Sequence, residues 1–100
     1  MYELLYAEEA DNDLTAIYNY IADDSVERAR NYLGKIEQCI LQLKDFPEIG
    51  VESRYAELRA LGIKLLSFEN YIIFHTVNSK NQTVNIIRVL HGSVNYRKLF

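Results

Sequence analysis

One hundred residues with 49% hydrophobic side chains, twelve aromatics, one proline and four glycines bound a single domain around one core, and exclude a disordered or fibrous chain. The formal net charge of −3 hides a division: Met1–Ser53 holds twelve acidic and four basic residues, Arg54–Phe100 two acidic and seven basic. The molecule is expected to be dipolar, its basic half able to face phosphates or an acidic protein.

Tyr2–Tyr6 is a short alternating aromatic run, the pattern of a first strand. From Glu8 the spacing becomes three and four: Ala10, Leu14, Ile17, Tyr18 and Ile21 mark one face of a helix, with Glu8 and Glu9 where the helix dipole favours negative charge. Asp23-Asp24-Ser25 breaks the pattern, and Asp24 with Glu27 three residues on predicts a capping-box start for a second helix. Val26, Ala29, Leu33, Ile36, Ile40 and Leu43 then form a seam suited to an antiparallel partner helix. Tyr32, Cys39 and Phe46 widen that seam enough to cover a sheet as well. Pro47 ends the helix, and Pro47–Glu57 reads as a surface loop. Beyond it the period is that of strands: Leu58–Leu61 and Lys64–Phe68 around Gly62, then Tyr71–Val77 and Thr83–His91.

The expected architecture is α+β in two layers with element order β-α-α-β-β-β: an N-terminal strand, an antiparallel helical hairpin, then a three-stranded antiparallel meander, all in one domain over residues 1–100. The hairpin covers one face of a four-stranded sheet and leaves the other open. No apolar run approaches the roughly 20 residues of a membrane span, and Met1-Tyr2-Glu3-Leu4-Leu5 lacks a basic signal region, so a cytoplasmic protein without membrane contact is expected. Cys39 stands alone, with no CxxC or Cys/His grouping, so it is expected to be a buried, inert thiol, and neither metal nor cofactor is expected.

Strict alternation along the last strand places Asn85, Ile87, Val89 and His91 on one side and Val84, Ile86, Arg88 and Leu90 on the other. With Ile87 and Val89 toward the helices, Arg88 would lie on the open face beside Arg59, Lys64 and His75; a cross-strand ion pair to Glu57 or Glu69 is the structural alternative. Cleavage of RNA through its 2′-hydroxyl needs a general base, cations for the anionic transition state and an acid for the leaving oxygen. His75 and His91 are the only side chains that ordinarily titrate near neutrality, and Arg59, Lys64, Arg88 and Arg97 are the cations available. No GxxxxGK[ST], GxGxxG, HExxH or GxSxG is present, which leaves nucleotide hydrolysis, dinucleotide redox work, zinc proteolysis and serine hydrolysis unsupported.

Read together, Ala10 with Asp13-Leu14-x-x-Ile17-x-x-Tyr20-Ile21, Ala29 and Ile36, Phe46-Pro47-x-x-Gly50, Leu58-Arg59-x-Leu61, Tyr71-x-Ile73-Phe74 and Ile87-Arg88-Val89-Leu90-His91-Gly92 resemble the RelE/ParE superfamily, the toxins of bacterial type II toxin-antitoxin modules. The resemblance covers nearly the whole chain and leans to the ParE branch, whose members poison DNA gyrase, rather than the RelE branch, which cuts mRNA on the ribosome. His75 stands where ParE-like sequences commonly have tyrosine, and Val94-Asn95 where they have arginine-aspartate; Ile72 falls near the RelE cations.

What the resemblance implies is a growth-inhibiting toxin held by a cognate antitoxin, with the possibility of a higher-order toxin-antitoxin complex. Target contact would involve Arg59, Lys64, Arg88, His91, Tyr96 and Arg97; the antitoxin's flexible segment would cover Ile17, Tyr18 and Tyr32. Two alternatives stand beside gyrase inhibition: a ribosome-dependent mRNA endonuclease using His91 or His75 with Arg59 and Arg88, and a degenerate toxin that only binds its antitoxin.

Overall fold

The computed structural model describes residues 1–100. Strand β1 (Glu3–Tyr6) runs through Ala7 into helix α1 (Glu8–Ala22), which turns at Asp23–Ser25 into the longer helix α2 (Val26–Leu41). Neither helix owes its place to its ends alone. The N-cap of α1 is Ala7, which offers no side-chain acceptor, so Glu8, Glu9 and Asp11 in its first turn supply only the dipole contribution. What fixes both helices is burial: Ala10, Ile17, Ala29, Ile36 and Ile40 are removed from water, at about 1.5–3 kcal/mol for each large aliphatic.

The second helix is capped by Ser25, whose Oγ accepts from the Arg28 amide at 3.2 Å, not by Asp24 as the capping-box reading expected. Asp24 instead pairs with the Arg28 guanidinium one turn on. The α-helical part stops at Leu41 and tightens into a 3-10 turn over Gln42–Lys44, so Phe46 lies outside the apolar face and is 63% exposed.

Strands β2 (Val51–Glu52), β3 (Lys64–Phe68), β4 (Tyr71–Asn78) and β5 (Thr83–His91) complete one sheet of five strands, in the order β1-β5-β4-β3-β2. The pair β1–β5 is parallel and the others antiparallel. The α+β order and the hairpin on the sheet are as expected, with two differences. Two-residue β2 adds a fifth strand where a loop was expected. Its approach to β3 depends on Gly50, whose φ of +104° and whose position against the Leu65 carbonyl, 2.6 Å from where a Cβ would stand, leave no room for a side chain.

The second difference bears on function. Leu58–Leu61 is not a strand; Ala56–Ala60 forms a short helix, α3, ended at Gly62 (φ +76°). The Gly62 amide bonds the Arg59 carbonyl and the Ile63 amide bonds the Leu58 carbonyl, a Schellman motif whose hydrophobic contact is Leu58 with Ile63. The sheet face away from the hairpin is therefore not open. Leu58, Ile63, Phe74 and Leu90 form a second small core, flanked by Tyr55 and by Tyr96 of a C-terminal 3-10 turn (Tyr96–Leu99). Phe74 lies 4.9 Å from the Tyr96 ring and 5.1 Å from Phe100, centroid to centroid.

A bulge changes the faces of β5. Phe74 pairs with Arg88 but His75 with Ile86, so Ile87 is an extra residue. Val84, Ile86 and Val89 accordingly join the hairpin core, while Ile87 and Leu90 pack with the second. The alternation expected through Ile87 and Val89 fails at that point.

Candidate functional site

The structure disperses the cations that the sequence grouped on one face. Arg88 is not displayed: its Nε and Nη2 donate to the two carboxylate oxygens of Asp13 on α1 at 2.8 and 2.9 Å. Asp13 Oδ2 also accepts from the Val89 amide at 3.0 Å. The parallel partner β1 ends at Tyr6, opposite Ile86, so no strand reaches Val89 on that edge and the carboxylate supplies the missing acceptor. The Arg88 side chain is 21% exposed and that of Asp13 14%, so this is a largely desolvated, bidentate pair, and Asp13 holds the Arg88 pKa above its ordinary value. Arg88 is thus a joint between hairpin and sheet rather than a group free for a target.

His75 is fully buried, and neither ring nitrogen has a hydrogen-bond partner. It lies in register with Lys64 and Ile86 on the neighbouring strands. Burial pushes its pKa below 6.5, Lys64 adds to that, and Glu48 with the backbone of Ile73 and Ile49 opposes it. It is therefore neutral at pH 7 and sealed from any substrate, which removes it from the list of general bases. Lys64 is likewise engaged, donating to the Glu48 carbonyl at 3.1 Å and facing its carboxylate at 3.4 Å.

A measurable consequence follows from the depressed His75 pKa. The unfolded chain takes up this proton before the folded chain does, so the contribution to stability is complete above about pH 6.5 and declines as pH falls from there through the folded pKa, by up to about 1.4 kcal/mol per pH unit. Urea unfolding at a series of pH values between 7.5 and 5.5 should show this decline, and His75→Phe should flatten it; parallel profiles for the two proteins would assign the decline to other groups.

His91, at the end of β5, is exposed, but its Nδ1 accepts from the Ser93 amide at 3.1 Å and lies 2.7 Å from Ser93 Oγ. A nitrogen that accepts from an amide carries no proton, so the neutral ring is protonated at Nε2. Tyr71 packs edge-on against it at 5.4 Å. It is the one exposed imidazole of the chain, and no carboxylate is bound to it.

What the structure does assemble lies around α3 and the C-terminal turn, and only part of it was foreseen. Arg59, exposed on α3, donates from Nη1 to the Ser53 carbonyl at 2.8 Å. Arg54, which sequence reasoning did not single out, donates to the Tyr55 hydroxyl at 2.9 Å and stands 5.0 Å from the ring centroid. Arg97 stands 4.7 Å from the same ring and bonds Glu57, whose carboxyl is held below its ordinary range first by its own backbone amide and then by Arg97. Tyr96 is half-buried, packed on Tyr55 at 5.5 Å and on Phe74. Beside this cluster a cleft of about 370 Å3 is lined by Arg54, Tyr55, Ser93, Asn95 and Tyr96. Nothing in the sequence alone distinguished Arg54 from the other cations.

On the hairpin, Ile17 lies in the core at 7% exposure and is no contact surface. Tyr18 lines a groove of about 400 Å3 between α1 and α2 with Leu14, Arg30, Leu33 and Gly34. Tyr32 lines another of about 570 Å3 at the hairpin tip with Tyr20, Asp23 and Asp24, and packs edge-on against Phe68 and Tyr71. Its phenol pKa is raised by burial and then by Glu69. Cys39 is buried, and burial pushes its thiol pKa up, as an inert core thiol requires.

Residues 4–96 match the family model described as the ParE toxin of type II toxin-antitoxin system, parDE. Among solved structures, the chain is similar to the chromosomal ParDE toxin-antitoxin system from P. aeruginosa, with a TM-score of 0.67, 22% identity, and coverage of 91% of this chain and 96% of that one. It is similar also to the RelBE2 toxin-antitoxin complex from Mycobacterium tuberculosis, with a TM-score of 0.66, 20% identity, and coverage of 90% and 96%. No curated protein matches the chain by sequence. No helix is long and apolar enough to cross a membrane.

Proposed function

The chain belongs to the ParE toxin family, and from that premise we propose that it inhibits DNA gyrase by binding it and that a cognate antitoxin neutralises it. The observation that supports binding over cleavage is the acid-base poverty of the candidate face. Cations gather around Tyr55, but His75 is sealed, Arg88 is held by Asp13, and His91 stands alone with Nδ1 occupied. Ribosome-dependent RNA cleavage asks for a base, an acid and free cations in one place. A protein that acts by occupying its target needs only the surface.

The test is supercoiling of relaxed plasmid by purified gyrase. Increasing amounts of the chain should inhibit it, and induction in bacteria should bring DNA-damage signalling and filamentation. Undiminished supercoiling with codon-specific cuts in translated messages would transfer the chain to the endonuclease mode of action.

For the antitoxin, the groove lined by Tyr18 and Gly34 is the best-supported seat. Gly34 sits in the middle of α2, where glycine costs about 1 kcal/mol relative to alanine, and a Cβ built there meets nothing within 4 Å. No internal packing explains the glycine; close approach by another backbone would. Gly34→Ala should raise the stability of the isolated toxin by about 0.5–1 kcal/mol in urea unfolding. Calorimetric titration should at the same time show weaker antitoxin binding, and unchanged affinity would move the antitoxin elsewhere, the tip groove beside Tyr32 being next. The two solved relatives are toxin-antitoxin systems, which supports a partner of this kind and is compatible with a higher-order complex.

A further inference from the structure

We propose that the cleft between Arg54 and the Ser93–Asn95 turn, with Arg59 beside it, binds the phosphate backbone of duplex DNA. The first ground is how the arginines are held. Four cations of this protein are ion-paired, each to a carboxylate: Arg28 to Asp24, Lys64 to Glu48, Arg88 to Asp13 and Arg97 to Glu57. Arg54 and Arg59 are instead fixed by neutral acceptors, the Tyr55 hydroxyl and the Ser53 carbonyl. Neither side chain is hydrogen-bonded to a carboxylate, Arg59 feeling Glu57 only at longer range, so both can still present a fork to a phosphate oxygen. Arg59 reaches the carbonyl of the residue directly before Arg54, so the two side chains share one short segment.

The second ground is the state of the aromatic rings, which chooses between forms of nucleic acid. Single strands are bound by stacking bases on free aromatic faces. Here Tyr55 carries two guanidinium groups, and Tyr96 is packed against Tyr55 and Phe74. Both rings border the cleft, but each already has its face or edge engaged by these partners, which leaves less free aromatic face for a base. Recognition through phosphates, insensitive to base identity, suits a duplex with its dense and rigid charge. The acidic hairpin lies on the opposite layer of the sheet, so a net charge of −3 does not prevent this face from meeting an anion.

The experiment is fluorescence anisotropy of a labelled random-sequence 20-base-pair duplex with the full chain between 50 and 200 mM NaCl. With two or three phosphates neutralised, affinity should fall roughly 10- to 40-fold over that range. Arg54→Gln and Arg59→Gln should each weaken binding several-fold and lower the slope of log K against log salt by about one. Both side chains are exposed, so thermal melting should stay near that of the native protein. Tyr55→Phe, which removes only the hydroxyl that orients Arg54, should weaken binding without changing the slope. Lys35→Gln on the hairpin should change neither.

Absence of binding at 50 mM NaCl, arginine variants indistinguishable from Lys35→Gln, tighter binding of the single strand, or equal binding of a poly-glutamate peptide would each overturn the inference, the last in favour of an acidic protein. The outcome is separable from gyrase inhibition. Duplex binding without an effect on supercoiling keeps this inference and removes the gyrase reading, and inhibition without duplex binding does the reverse.

Discussion

Asp13→Ala is expected to cost about 3 kcal/mol, a large share of the roughly 5–15 kcal/mol that holds a domain of this size together. The substitution removes a side chain 75 positions away from its partner in sequence and three hydrogen bonds at once. It leaves the Arg88 guanidinium largely desolvated without a counter-charge, and the Val89 amide without an acceptor. Losing one member of such a pair is costlier than losing both, because the survivor keeps its desolvation penalty. Asp13→Leu combined with Arg88→Met should therefore recover most of the loss, though not the portion due to the Val89 amide. Asp13→Asn, which keeps an oxygen for that amide but not the charge, should fall between. Urea midpoints for these proteins, together with Asp13→Leu and Arg88→Met singly, check the order; additive losses of those two single variants in the double variant would show that the pair is not coupled.

Phe74→Ala is expected to lower stability by about 3–5 kcal/mol, the cost of emptying a site where a full phenyl ring is shielded from water. In a domain of this length that corresponds to a melting temperature lower by more than about 10 °C, readable by calorimetry. The consequence is not confined to stability. Phe74 is the floor on which Tyr96 and Phe100 rest, and Tyr96 in turn backs Tyr55, which carries Arg54 and Arg97. At temperatures where the variant is still folded, the C-terminal turn should show faster amide exchange, and the gyrase inhibition proposed above should fall by more than the unfolded fraction explains. Phe74→Leu, which retains most of the apolar volume, should show a smaller form of both effects. A variant that is destabilised but unaltered in the exchange of Tyr96–Leu99 would detach the turn from its supposed floor.

Much of this architecture could be read directly from periodicity. The three-and-four spacing of Ala10, Ile17, Ile36 and Ile40 located the hairpin and its buried side, because an inward helical stripe is written over many residues. The short helix Ala56–Ala60 escaped that method because five residues complete barely one turn. Its trace was in the ending, Leu58 with Gly62-Ile63, which forms a C-terminal cap more readily than a strand turn. The faces of β5 were misjudged for a different reason. A bulge at Ile87 depends on the partner strand, and nothing in Thr83–His91 alone announces it.

The Asp13–Arg88 joint was half visible. Asp13 sits three residues after Ala10 and four before Ile17, within the buried stripe of its helix, and Arg88 interrupts an aliphatic strand. Two opposite charges, each set in an apolar stripe, are candidates for one another. Taking Arg88 alone led to the expectation of a displayed cation. Whether a charge is available depends on its neighbours in space, and Arg54 shows the converse: unremarkable in sequence, it is freed by having a hydroxyl rather than a carboxylate as its companion.

The parallel pairing of β1 with β5 also sets a timetable for synthesis. Glu3–Tyr6 has no sheet partner other than Thr83–Ile86, so the first strand to leave the ribosome must wait for the last one before its backbone groups are satisfied. The aromatic support of Tyr55 is later still, since it needs Tyr96 and Phe100. A nascent copy therefore carries its hairpin well before it can hold a finished basic surface, and a partner that recognises the hairpin could engage the chain before that surface exists.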